Sequence, residues 1–350
     1  MSEAVGYKTD SETIERFSAL RHQAIEFVTA ESLAAGFGPR TQEPCAEDIA
    51  FHLDFLRPTL ESGDLSPFIA YLAWLSQVLS SRSIPGDSLP HSLDHLAIFF
   101  TRSLGENSAP IVAVLMAGKA ALAANLAAPC YDHPCPVPWS ETTAFCEALL
   151  EGNSREAAKL FSQAIDRESS LPGTEVHVIQ PALYEIGRRW QQNRVSVAQE
   201  HVATEIAQSL MALGAGCVEA GPANGLKVLF ACTAGNHHAL GLRMVADAFE
   251  LSGWAVNYLG ANTPNAALVS HVRQMRPDIV CLSASMPHHL RDLRQVVAML
   301  RTTLTGKCPR IVVGGLVFNQ FPLLVQGVGA DLMGVDAIST LNEVVRMMEK

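Results

Sequence analysis

The sequence predicts an α and α/β protein: an all-helical N-terminal segment, a four-helix bundle, then a flavodoxin-like, doubly wound parallel sheet of five strands. Three observations predict it. Apolar residues recur at three- and four-residue steps up to about residue 220. A stretch reading PCYDHPCPVPWS, from Pro129 to Ser140, carries four prolines and divides that helical part. From Lys227 onward, short continuous apolar runs alternate with helical patterns, as buried parallel strands and their crossover helices do.

Composition bounds the functions. The chain has 350 residues, 48% hydrophobic and 17% charged, which suits two or three packed domains rather than a disordered or coiled-coil chain. A formal charge of -10, with no basic run and no evident helix-turn-helix, argues against a nucleic-acid-binding face. The segment Met1 to Asp10 is polar and lacks an apolar signal core, so a cytoplasmic location is expected. The eight cysteines form no C-x-x-C pair and read as buried or idle thiols. The apolar run Ile111 to Ala128 is broken by Lys119 and Asn125 and reads as a buried helix, not a membrane span.

Residues 1–128 should hold five or six helices and no strand. Ile14, Phe17, Leu20, Ala24 and Phe27 follow helical spacing. Asp64 and Ser66 with Pro67 start a helix ahead of Phe68, Tyr71, Leu72 and Leu75, and Pro85-Gly86-Asp87 breaks the next pair. Residues 129–139 form a stiff linker, and residues 140–220 form the bundle. Its first helix opens at Ser140 and Thr143, Gly152-Asn153-Ser154 ends it and caps a second, Pro172-Gly173 introduces a third, and Ala198 to Leu213 makes a fourth. Residues 221–350 form the sheet domain, with strands at Lys227–Thr233, Ala255–Gly260, Ile279–Ser285, Arg310–Leu316 and Asp331–Val335. Loops at the carboxyl ends of such strands bind ligands.

The loop after the first strand reads Ala234-Gly235-Asn236-His237-His238-Ala239-Leu240-Gly241. A histidine there can leave the sheet edge and enter a ligand, and the glycine lets a bulky planar group approach the helix start. Ser283 and Ser285 end the third strand with small hydroxyls, and Gly314-Gly315 ends the fourth with no side chains. Together they suit a slot that admits a flat aromatic tail.

This constellation resembles the cobalamin-binding domain of methionine synthase, mutases, corrinoid carriers and light sensors, whose pattern is D-x-H-x-x-G, S-x-[STL] and G-G. His238 and Gly241, Ser283 and Ser285, and Gly314 and Gly315 match it in order, over about Lys227 to Lys350. The resemblance implies cobalamin as cofactor, His238 as the lower ligand to cobalt, and the nucleotide tail in the slot. The acidic residue two before the histidine is Asn236 here, an amide that accepts a hydrogen bond but brings no charge. His237 is the rival ligand, but its spacing to Gly241 does not fit.

The bundle carries a second motif, Trp190 then Val195-Ser-Val197-Ala then Glu200-His201. It sets an indole, a carboxylate and an imidazole at one end of the bundle. The stretch Val178 to Thr204 resembles the bundle of CarH/LitR-type cobalamin photoreceptors. The resemblance implies Trp190 and Val197 against a 5′-deoxyadenosyl group, Glu200 on its ribose, and His201 at the upper cobalt position after light. The glycine that usually follows the tryptophan is Asn193 here.

CarH/LitR-type regulators carry a DNA-binding domain where this sequence has its N-terminal helices. A globin-like helical segment before a cobalamin photosensor is similar to photocobilins, which pair cobalamin with biliverdin. The run His52-Leu-x-Phe55-Leu56 to Tyr71-x2-Trp74-Leu75 carries that likeness. Arg57, Arg82, His22, His52, His91 and His95 could meet a bilin's propionates and pyrroles, and Cys130, His133 and Cys135 could hold a metal or a thioether. The expected function is a light-sensing module, not an enzyme, in which photolysis of adenosylcobalamin changes conformation and the packing of a homo-oligomer, dimer or tetramer, for an output protein outside this chain. The alternatives are a corrinoid methyl carrier of a methyltransferase system, or a helical interaction scaffold.

Overall fold

The computed structural model describes residues 7–36, 42–84, 86–124, 136–303 and 308–349. The chain divides into two compact units, Met1–Tyr131 and Asp132–Lys350. Residues 129–135, and with them Cys130, His133 and Cys135, lie outside the described residues.

The described N-terminal unit is all-helical: α1 Ser11–Ala19, α2 Arg21–Ala34, α3 Gln42–Ser62, α4 Ser66–Ser81, α5 Ser88–Leu104 and α6 Ala109–Ala123. Asp10 caps α1, its carboxylate accepting the Thr13 N–H at 2.9 Å. The periodic stretch from Ile14 to Phe27 is divided at Leu20, where α1 gives way to α2, and Phe17 and Ala24 from the two helices are buried in one core. Asp64 accepts the Ser66 N–H at 2.9 Å where α4 begins. Phe55 stacks on Tyr71 at 4.0 Å between centroids, and His52 Nδ1 lies 2.7 Å from the Tyr71 hydroxyl. In α6, Lys119 bonds Asp94 at 2.7 Å. Among the described residues no helix is long and apolar enough to cross a membrane.

The second unit opens with Trp139, whose ring stacks on His177 at 5.0 Å. Its bundle consists of α7 Thr142–Leu150, α8 Ser154–Glu168, a composite third helix, and α11 Val197–Cys217. The third helix runs from α9 Leu171–Thr174 through a π-helical turn, Glu175–Ile179, into α10 Gln180–Gln191. Asn153 caps α8, and Ser196 with Gln199 forms a capping box on α11. Asn193 sits at φ +55° in the turn between α10 and α11. Asparagine tolerates that left-handed backbone better than most residues, so it serves the glycine's conformational role there.

The sheet is fully parallel, in the order β2-β1-β3-β4-β5. The strands are β1 Lys227–Cys232, β2 Ala255–Gly260, β3 Ile279–Ser283, β4 Arg310–Gly314 and β5 Leu332–Gly334. Helices α12 Leu240–Leu251, α13 Asn265–Met275, α14 Leu290–Thr303, α15 Leu316–Gln320 and α16 Ala337–Met348 complete the winding. The order reverses between β1 and β3, which is where such sheets open a crevice beyond their carboxyl ends. Met244 and Ala248 of α12 and Ala337 of α16 are buried with Phe145, Phe161, Val178 and Met211 of the bundle, so bundle and sheet domain share one core.

Burial pushes the His52 imidazole down to about 4. The unfolded chain therefore binds that proton more readily, and the stability tied to neutral His52 is present above its ordinary pKa and lost as pH falls toward 4. The loss amounts to about 3 kcal/mol at the acid end. His52→Gln is expected to flatten the fall in melting temperature on acidification, measured by thermal unfolding of the full chain across that range.

Candidate functional site

A cleft of about 970 Å³ lies between the bundle and the carboxyl edge of the sheet. One wall is helical. Glu200, Thr204, Gln208 and Ala212 line it at four-residue steps along α11, and His201 joins them. Leu183, Tyr184 and Gly187 line it from α10. Glu200 Oε2 lies 2.6 Å from His201 Nδ1, and Glu200 Oε1 accepts the Thr204 hydroxyl at 2.9 Å. The carboxylate is thus fixed by two neighbours on its own helix.

The other wall is the loop after β1, with His237, His238 and Gly241. The His238 imidazole is open to the cleft, yet the protein around it holds its pKa below the ordinary value, opposed by Glu200 across the cleft. It is therefore neutral at physiological pH, with a lone pair to offer a metal.

Asn236 fixes this loop. It is fully buried. Its Nδ2 donates to the Ser283 carbonyl at 3.0 Å, and its Oδ1 accepts the His238 backbone N–H at 3.1 Å. Its own N–H donates to Thr233 O at 3.0 Å, and its carbonyl accepts from Asn262 at 2.9 Å. The amide holds the backbone of His238 and not its ring, so both its donor and its acceptor are needed. The Ser283 carbonyl also takes the Thr233 N–H at 3.1 Å and the Thr233 hydroxyl at 3.3 Å.

The floor is a slot. Ser283, Ser285, Gly314 and Gly315 border it, and the buried Cys281, Met244 and Thr340 line its depth between the sheet, α12 and α16. Gly315 adopts φ +106°, and a Cβ there would meet the Ala284 carbonyl at 2.2 Å. A Cβ on Gly314 would meet the Gly334 carbonyl at 2.9 Å. These glycines let the strands and loops close together at the edge. A Cβ on Gly241 would meet nothing within 4 Å, so that glycine leaves open space at the start of α12.

His289, which the sequence reading passed over, braces the edge from below. Its Nδ1 accepts N–H groups from Ser285 at 3.3 Å and Met286 at 3.2 Å. Burial, then His288 and His238, push it down to about 3, so its ring stays neutral. The His288-His289 pair just after the third strand was the available signal.

The structure brings His238, Gly241, Glu200, His201, Ser283, Ser285, Gly314 and Gly315 to one cleft. Trp190 and Val197 are not among the residues that line it. Trp190 is half-buried against the bundle core, one turn beyond Gly187, and Val197 is exposed at the start of α11. Tyr184, Arg243 and Tyr258, which line the cleft, were not singled out from the sequence. The four-residue stripe from Glu200 was legible by extending its periodicity down the helix.

Two variants separate fold from ligand space. Gly315→Ala should cost several kcal/mol, because strain and a backbone clash coincide. Gly241→Ala should leave the melting temperature unchanged or slightly higher, yet weaken ligand retention, read by melts and dialysis. Asn236→Asp sets a carboxylate against the Ser283 carbonyl and should destabilise the fold by about 1–3 kcal/mol at neutral pH. The loss should shrink as acid protonates the new carboxyl, since its folded pKa would be raised.

Residues 226–344 match the family model described as a B12 binding domain, and residues 142–213 match a second model described as a B12 binding domain. The HTH-type transcriptional repressor CarA of Myxococcus xanthus is 33% identical over 151 residues, which are 43% of this chain and 49% of the relative. The HTH-type transcriptional repressor CarH of the same organism is 27% identical over 182 residues, 51% of this chain and 59% of the relative. The matched stretches thus span only about half the length of these two repressors. The structure of the Methanosarcina barkeri monomethylamine corrinoid protein shares the fold, with a TM-score of 0.53 at 13% identity, covering 59% of this chain and 98% of that one. The bundle and the sheet domain that wall the cleft are accordingly the two regions similar to B12 binding domains, and together they support cobalamin as what this part of the chain binds.

Proposed function

We propose that this chain is a light-responsive cobalamin sensor that holds adenosylcobalamin between bundle and sheet. The observation that carries the reading is convergence. Glu200 and His201 from the bundle and His238 from the sheet edge face one cleft of about 970 Å³ whose floor is a slot kept narrow by Gly314 and Gly315. The donor set fits a corrinoid: a neutral imidazole, small residues below it, and open space over Gly241. When bound, adenosylcobalamin supplies a weak cobalt–carbon bond that visible light breaks.

The chain's residues then have distinct tasks. His238 offers its lone pair to cobalt from the sheet side, and Asn236 fixes the loop that carries it. Ser283 and Ser285 receive the nucleotide tail. Glu200 would accept a ribose hydroxyl, with Trp190 and Val197, outside the cleft lining, at the same end of the bundle. His201, held by Glu200, would be the bundle's own imidazole available to hold the metal from that wall. Movement of the bundle passes the signal to the packing of a homo-oligomer, supported by the exposed Val202 and Leu213 on α11, and from there to an output protein. Biliverdin as a second chromophore in the N-terminal unit rests on the likeness of the His52 to Leu75 run to photocobilins.

A corrinoid methyl carrier is the second reading. It is favoured by the absence of Trp190 and Val197 from the cleft lining. A methyl group needs no indole wall.

The test is to load the full chain in darkness with adenosylcobalamin and biliverdin, desalt it, and record spectra before and after green light. The sensor retains cobalamin and shows a light-driven spectral change, and a far-red band adds the bilin. Retained cobalamin that photolyses no faster than free cofactor selects the methyl carrier. No retained cobalamin defeats both. His201→Ala should keep dark binding but lose the two-histidine product spectrum, whereas His238→Ala should weaken dark retention.

A further inference from the structure

We propose that Glu175 of the bundle and Asp247 of the sheet domain share one proton across the seam between them, forming a latch that holds the two walls of the cleft together. Glu175 lies in the π-helical turn and is 0% exposed, and Asp247 lies in the middle of α12 and is 1% exposed. The stretch that carries Glu175 packs on α12, where Val176 and Val178 share a core with Met244 and Ala248, and the two carboxyl groups act on each other across that contact. Among the described residues no hydrogen-bond donor reaches either Glu175 oxygen. Asp247 is ion-paired with Arg243, one turn earlier on α12. Two buried carboxyl groups can face each other in this way only if one of them carries a proton and donates it. Burial, then Asp247, hold Glu175 well above the ordinary carboxylate range, so Glu175 is the donor.

The charged groups acting on Glu175 are Asp247 and Arg243, both from α12. Tyr258 of β2 and Glu250 of α12 face those two in turn: the Arg243 guanidinium lies 5.3 Å over the Tyr258 ring and 3.6 Å from Glu250. His177, on the same turn as Glu175, is engaged by the Val137 carbonyl at 2.9 Å. The latch reaches the cleft from both sides. Arg243 lines it directly, and the helix that follows Glu175 supplies Leu183, Tyr184 and Gly187. The Tyr258 hydroxyl donates to the Ala239 carbonyl at 3.1 Å, beside His238.

Loss of the shared proton would leave two negative charges in the core against one guanidinium, and the third bundle helix would have to part from α12. A carboxyl whose folded pKa is raised stabilises the fold while protonated, and that stability disappears as pH rises through the folded value. The seam is therefore tightest below the ordinary carboxylate range and loosens as pH rises from there to the raised folded value of Glu175. Nothing in this depends on which cofactor fills the cleft.

The experiment uses the full chain without cofactor. Infrared spectra in heavy water at neutral pH should show the carbonyl stretch of a buried, protonated carboxylic acid, and Glu175→Gln should remove it. Amide exchange over Leu171–Gln191, corrected for intrinsic rates, should accelerate by up to about tenfold for each pH unit between the ordinary carboxylate range and the raised folded pKa in the native chain, and level off above it. In Glu175→Gln, whose amide still donates to Asp247, it should stay flat. If that variant fails to fold, Asp247→Asn should shift the acid band and weaken the rise of exchange with pH, because the charge that Glu175 meets on ionising is gone while its burial remains. A native chain without the acid band, or a Glu175→Gln chain whose exchange rises with pH as the native one's does, overturns the proposal.

Discussion

The Ser283 carbonyl is the point on which the site depends. It ends β3 and receives donors from Thr233 and from the Asn236 amide. A backbone acceptor at the end of a buried strand is fixed by the sheet itself, so the loop that leans on it inherits that rigidity. Asn236 then presents its oxygen to the His238 N–H. The backbone that carries the imidazole is thereby tied to the ends of β1 and β3. In cobalamin proteins of the resembled pattern a carboxylate stands at this place, and here the amide's donor is what the carbonyl requires.

The bundle contributes the opposite wall because it cannot fold away from the sheet. Val178, Met211 and Phe161 share a core with Met244, Ala248 and Ala337. Separating the halves would expose this apolar area to water, at roughly 25 cal/mol for each Å². The cleft is thus a polar margin around an apolar joint. Its charged groups, Glu200 and Arg243, are half-buried, and its imidazole opens into the space between the walls.

Much of this was legible in the chain. Continuous apolar runs at Lys227, Ile279 and Arg310 gave the parallel strands, since burial on both faces removes alternation. The histidine, serine and glycine positions could be named because each is dictated by a backbone need or a ligand need at one sheet edge. The rest was hidden for physical reasons. Glu175 and Asp247 are far apart in sequence, and nothing local reveals that two acidic residues will be buried face to face. The π-helical turn leaves no mark in a three-to-four-residue apolar pattern. Leu20 looked like part of one periodic stretch because two successive helices can keep their apolar residues at helical spacing across a tight junction. Trp190 was expected to line the cleft from its spacing to Glu200, but spacing does not fix how a helix end rolls against its bundle.

The π-helical turn has a consequence for how the cap is aimed. It accommodates one residue more than an α-turn between Thr174 and Gln180. Each α-helical residue advances the side-chain direction by about 100°. The extra residue therefore acts as an angular setting for all of α10: it decides that Tyr184 and Gly187, and not the faces beside them, look into the cleft. A chain lacking that single residue could keep the same composition, the same helices and the same sheet, and still present the wrong side of the cap to whatever the cleft holds.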